Sequence, residues 1–172
     1  DELLALDAKK EKRILGLFST GSMNYEIERN GDNLEPHLTE MTRVALESLG
    51  NDPRGFFLMV EGARIDHGAH STSMERVIGE MAELDRTINL VLDWAEKHPA
   101  TLVLITADHE TGGAALKPGQ DLEKGDKIEV EWTAADWPWH AGHSGQRVPI
   151  YAAGPNAGAV KDMMDNTEIF CV

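Results

Sequence analysis

The sequence predicts an α/β fold in which a mostly parallel sheet lies between helices, a three-layer α/β/α arrangement. Two observations predict it. Four short apolar runs, at residues 13–19, 55–60, 101–107 and 148–153, are hydrophobic throughout rather than at alternate positions, as strands covered on both faces are. Stretches of helical periodicity separate the first three, so strand and helix alternate along that part of the chain.

In chain order, 1–12 is charged and reads as a helix or linker, and 13–19 (RILGLFS) as a buried strand stopped by Thr20 and Gly21. Residues 35–49 carry Leu38, Met41, Val44, Ala45 and Leu49 near helical spacing, with Pro36 suited to a first turn and Gly50 to a stop. Residues 55–60 (GFFLMV) form the next strand. The clearest helix is 73–97, whose Met74, Val77, Ile78, Met81, Leu84, Ile88, Val91, Leu92 and Ala95 make one apolar stripe. Ser71, Thr72 and Ser73 are its candidate caps, and Pro99 ends it. Strands at 101–107 and 148–153 follow. Between them, glycines and prolines break the pattern and 127–132 alternates like a hairpin arm, so 114–142 reads as an excursion beyond the sheet.

Length and composition suit one soluble domain: 172 residues, 41% hydrophobic and 27% charged. No apolar stretch is long enough to span a membrane. A net charge of −14 argues against a nucleic-acid partner and leaves two readings, a solvated acidic surface or carboxylates gathered around cations. The single cysteine, Cys171, excludes an internal disulfide and a cysteine-rich zinc site. The start has neither the basic flank nor the apolar stretch of a signal peptide.

Three polar clusters sit at strand ends. Glu61-Gly-Ala-Arg-Ile-Asp66-His67-Gly-Ala-His70 follows the second strand, Asp108-His109-Glu110-Thr111-Gly112-Gly113 follows the third, and His140-Ala-Gly-His143-Ser-Gly precedes the fourth. Ligands of open α/β sheets bind beyond the carboxyl ends of strands, and mixed carboxylates and imidazoles suit zinc, with oxygen-only corners suiting magnesium. Asp66 and His70 are spaced so that one helical turn or a tight loop aims both at one ion. Taken singly, each cluster also reads as a turn with a hydrogen-bonded imidazole. His140 reads as structural or surface, His37 and His98 as surface, and Glu110 as a solvated acid or a support for the ligands. Three clusters in one chain favour a metal site.

VEGARIDHGAH, TADHETGG and HSGQRVPIYAAGP resemble the successive carboxy-terminal motifs of the alkaline phosphatases, in the family's order. GLFS, ERVIGEMAELD and DNTEI extend the resemblance over almost the whole chain. It implies the carboxy-terminal part of one alkaline phosphatase domain over 1–172, its sheet incomplete through truncation. It further implies two zinc ions and a magnesium, and a phosphate-monoester substrate released as inorganic phosphate. Asp66, His70 and His143 match the ligands of one zinc, Asp108 and His109 two ligands of the second, and Glu61 a ligand of the magnesium. His67 matches a residue that helps hold phosphate.

The family's nucleophilic serine, its phosphate-gripping arginine and the remaining ligands have no matching motif here, so the chain alone is expected to be inactive. Self-association is expected, and the family implies a periplasmic or secreted compartment. The competing readings are a non-catalytic metal-binding domain, or a superfamily relative such as a phosphodiesterase, sulfatase or phosphoglycerate mutase.

Overall fold

A computed structural model of the chain describes residues 2–11, 13–30, 34–120, 123, 126 and 129–172. The helices among them are α1 (Leu38–Leu49), α2 (Arg64–His70) and α3 (Met74–Lys97). The strands are β1 (Val103–Thr106), β2 (Glu110–Thr111), β3 (Ala114–Leu116), β4 (Val130–Trp132), β5 (Ala135–Trp137), β6 (His140–Ala141), β7 (His143–Ser144) and β8 (Ile150–Ala153). The chain divides into two compact units, Asp1–Ile65 with Glu75–Leu90, and Asp66–Met74 with Val91–Val172.

The first unit is organised around α1 and the amino-terminal two thirds of α3. His37 caps α1, its N–H donating to the Glu40 carboxylate (2.8 Å), and Gly50 N–H closes the helix on Leu46 O (2.9 Å). Pro36 therefore stands just ahead of the cap rather than in the first turn. Tyr25, Val44 and Leu46 are buried. The arginines of the first polar cluster and of α3 cover Tyr25: Arg64 lies 3.6 Å and Arg76 4.4 Å from its ring centroid. The Arg64 Nε, buried, has no hydrogen-bond partner.

The stripe expected to bury α3 does not account for its packing. Its buried positions are Glu83 and Thr87, while Ile78 and Met81 are exposed. Glu83 accepts from Thr39 N–H (2.8 Å) and Thr39 Oγ1 (2.6 Å), so a carboxylate from α3 satisfies a free amide in the first turn of α1. Periodicity marks which residues share a face. It does not show whether a partner covers that face.

Two expected strands are not found: residues 13–19 and 55–60 carry no assigned strand or helix. Leu15 is 83% and Phe57 90% exposed. A continuous apolar run encodes burial on both faces, and it becomes a strand only where a neighbour supplies the hydrogen-bond ladder.

In the second unit the two later strands do form, and they pair with each other. β1 and β8 run antiparallel with Val103 opposite Ala153 and Thr106 opposite Ile150. The expected parallel sheet is thus not found among the described residues; every ladder is a two-stranded antiparallel pair. The hairpin arm expected at 127–132 is β4, paired with β3, while residues 127 and 128 lie outside the described part. β2 pairs with β7 and β5 with β6. Two backbone turns close the unit, a 3-10 turn at Ala157–Ala159 and another at Asn166–Cys171, the latter capped by Asp165 through Thr167 N–H (3.0 Å). Among the described residues no helix is long and apolar enough to cross a membrane.

Candidate metal centre

α2 is a single short helix, and its i, i+4 spacing sets Asp66 and His70 on one face. Past its end, Ser73 N–H returns to Gly68 O (3.0 Å) and Thr72 takes a left-handed conformation (φ 50°), which turns the chain into α3. From the other side, the β2–β7 pair sets Thr111 opposite His143. This pairing brings the third polar cluster against the second, and the side chains of Thr111 and His143 reach Asp66 and His70 of the first.

Three donor atoms converge. His70 Nε2 lies 3.3 Å from Asp66 Oδ1 and 3.1 Å from His143 Nε2, and His143 Nε2 lies 3.6 Å from Asp66 Oδ1. A tetrahedral ion with bonds of about 2.0–2.1 Å holds its ligand atoms about 3.3 Å apart, so the three separations fit one face of a zinc tetrahedron. Two imidazole nitrogens at 3.1 Å also repel unless a proton or a cation lies between them.

The supporting contacts fix which nitrogens face inward. His70 Nδ1 is 2.6 Å from Ala141 O. A carbonyl only accepts, so Nδ1 carries a proton, and in the neutral ring Nε2 is the bare nitrogen. Thr111 Oγ1 donates to Asp66 Oδ1 (2.6 Å), and His109 Nδ1 lies 3.2 Å from the same hydroxyl. With the threonine proton committed to the carboxylate, His109 Nδ1–H is the donor to Oγ1. His109 therefore turns its Nε2 towards Asp108, 3.2 Å from Asp108 Oδ2, again the length of a ligand edge. The His109 ring stacks on His143 with centroids 3.7 Å apart. Asp108 is exposed.

Glu61 lies in the first unit, exposed just before α2. His67 is exposed on α2 and faces a cavity of about 780 Å³ that His70, Asp136, Trp137, Trp139 and His140 also line. His140 is not a bare surface residue. Its Nδ1 is 2.7 Å from Asp136 Oδ1, and that hydrogen bond holds the Asp136 carboxyl below its ordinary range. Glu110 is a brace: its carboxylate accepts from Ser144 Oγ and from Gly113 N–H (2.7 Å). His98 stacks on Trp94, centroids 3.7 Å apart, at the end of α3.

The sequence reading missed Thr111 and Ala141 O. Thr111 lies within a quoted motif, but its hydroxyl has no meaning until β2 meets α2, and no side-chain pattern marks a carbonyl. Among the described residues a second carboxylate–imidazole set converges in the first unit, Glu26, His37 and Glu83. Its donors already have partners: Arg29 (3.1 Å) and His37 (2.7 Å) on Glu26, and Thr39 and Arg86 (2.7 Å) on Glu83.

The fold and the site define a mixed α/β chain with a convergent carboxylate–imidazole centre of metal-ligand spacing. The alkaline phosphatase family pattern matches residues 1–131, and the chain belongs to that family. The tissue-nonspecific alkaline phosphatase of Gallus gallus is 45% identical over 108 residues, covering 63% of this chain and 20% of that protein. Alkaline phosphatase 3 of Bacillus subtilis (strain 168) is 29% identical, covering 93% of this chain and 48% of that protein. Among solved structures, a variant of TAB5 alkaline phosphatase with magnesium bound in the M3 site aligns with a TM-score of 0.66 at 32% identity, covering 85% of this chain and 42% of that one. The chain thus spans between a fifth and a half of the length of these curated relatives.

Proposed function

We propose that this chain is the part of a phosphate-monoester hydrolase that holds one zinc through Asp66, His70 and His143, supplies Asp108 and His109 to a second zinc, and supplies Glu61 to a magnesium. The observation that carries the proposal is the convergence of Asp66 Oδ1, His70 Nε2 and His143 Nε2 at 3.1–3.6 Å, with His70 held in the ligating tautomer by Ala141 O. Family membership supports the reaction class, and the magnesium in the TAB5 structure supports the hard-cation site. Bound there, zinc supplies Lewis acidity to phosphoryl oxygens. The residues' own part is to hold geometry: Thr111 fixes the Asp66 carboxylate, and His67, exposed on the cavity wall, contacts the phosphate.

None of the serines in this chain stands where the resemblance puts the nucleophile, so the chain binds metal but does not turn over alone. The exposed apolar runs at 13–19 and 55–60 are sheet strands whose partners belong to the whole protein, and its complete form carries the mostly parallel sheet. A surface this apolar also favours self-association. The whole protein acts outside the cytoplasm, in the periplasm or after secretion.

Elemental analysis of the purified chain, with hydrolysis of a chromogenic phosphate ester assayed in added zinc and magnesium, tests the reading. About one zinc per chain without turnover is expected. Absence of bound zinc, or zinc-dependent turnover by the chain alone, overturns it.

A further inference from the structure

The cavity beside the metal centre is walled on one side by α2 and on the other by the β5–β6 hairpin, whose turn reads Trp137-Pro138-Trp139-His140. Trp137 is 64% and Trp139 71% exposed. Tryptophan is highly buried on average, and an indole carries a large apolar area. Two such rings left open on one turn, stiffened between them by the fixed φ of a proline, are costly to the free chain and useful only when something covers them. The hydrogen-bonded His140–Asp136 pair lines the same cavity, and the His140 ring stacks over His70 with centroids 5.4 Å apart.

The placement assigns a direction to a bound ester. His67 and His70 line the same open cavity as the two indoles, so a phosphoryl group seated at the histidines leaves its other substituent facing the space that the indoles also line. We propose that Trp137 and Trp139 form the seat of the leaving group and that this seat selects an uncharged alcohol bearing a planar aromatic ring. Stacking on two indole faces favours a flat ring over a saturated one of equal size. The Asp136 carboxylate disfavours a leaving group that carries further negative charge. The inference rests on the phosphatase reading above, and it names the part of the substrate that reading leaves open.

Calorimetric titration of the zinc-loaded 172-residue chain separates the two. The probes are inorganic phosphate, methylphosphonate, cyclohexylphosphonate and phenylphosphonate. Phenylphosphonate is expected to bind about tenfold tighter than methylphosphonate and clearly tighter than cyclohexylphosphonate, a stacking contribution from two rings. In the Trp137→Ala, Trp139→Ala double variant the phenyl-to-methyl ratio falls to about one, and in the double Phe variant it is largely kept; far-UV circular dichroism checks that both are folded. Equal binding of methyl- and phenylphosphonate to the unaltered chain overturns the inference and leaves the phosphate site standing. Equal binding of the cyclohexyl and phenyl compounds overturns the aromatic selection. If inorganic phosphate and all three phosphonates fail to bind, the inference fails, because no phosphoryl group seats beside the indoles in this chain, while the phosphatase reading stands or falls on the zinc content.

Discussion

Replacing Thr111 with Val tests whether the convergent set is organised for a metal. The substitution keeps the β-branched shape that suits β2 and leaves the backbone pairing of Thr111 with His143 untouched. It removes one hydroxyl, the donor to Asp66 Oδ1 at 2.6 Å and the acceptor for His109 Nδ1 at 3.2 Å. A hydrogen bond to a charged group contributes about 1.5–3 kcal/mol. Loss of an outer partner of a metal ligand costs about 10–100-fold in affinity, or about 1.4–2.7 kcal/mol. The two ranges overlap, so a zinc affinity 10–100-fold weaker is expected, measured by competition with a chromogenic chelator. Circular dichroism should show no change, because Thr111 is only half-buried and its strand pairing survives. An affinity within threefold of the unaltered chain would refute the reasoning, since the hydroxyl would then orient nothing the metal uses.

Four further outcomes follow from the structure. His143→Ala removes one of the three converging donors and should lower zinc affinity by more than the roughly 100-fold upper limit for an outer partner, read in the same competition assay. Glu83→Ala leaves the Thr39 amide and hydroxyl without their acceptor and should cost about 2–4 kcal/mol in urea unfolding. Burial pushes the Glu83 carboxyl up, but the bonds from Thr39 and Arg86 outweigh it and hold it below its ordinary value of 4.5. Its stabilisation is therefore fully present above pH 4.5 and is lost as pH falls through the lower folded value; Glu83→Gln should flatten that part of the stability–pH curve. Gly113→Ala forces a side chain onto a left-handed residue (φ 61°) and drives its Cβ into Thr133 Oγ1 and to 3.0 Å from Ala134 N. A loss of about 1–3 kcal/mol is expected in thermal unfolding.

The sequence by itself determined the helices at 38–49 and 74–97, the strands that became β1 and β8, and the polar clusters from which the metal centre is drawn. These are local properties: a 3.6-residue period, caps, short apolar runs, and ligand-type residues placed at strand ends. The tertiary structure decided what pairing and contact create. β1 joined β8 antiparallel, because a strand takes whichever neighbour completes its ladder, while the apolar runs at 13–19 and 55–60 formed no strand among the described residues. α3 turned Glu83 and Thr87 inward because the open end of α1 needed acceptors, a demand that its own periodicity does not encode. The His143 imidazole reached His70, the Ala141 carbonyl fixed a tautomer, and Thr111 became a support for Asp66, each across a sequence separation that local pattern cannot bridge. The order of residues sets which chemistry is present; only the folded chain sets which atoms stand about 3 Å apart.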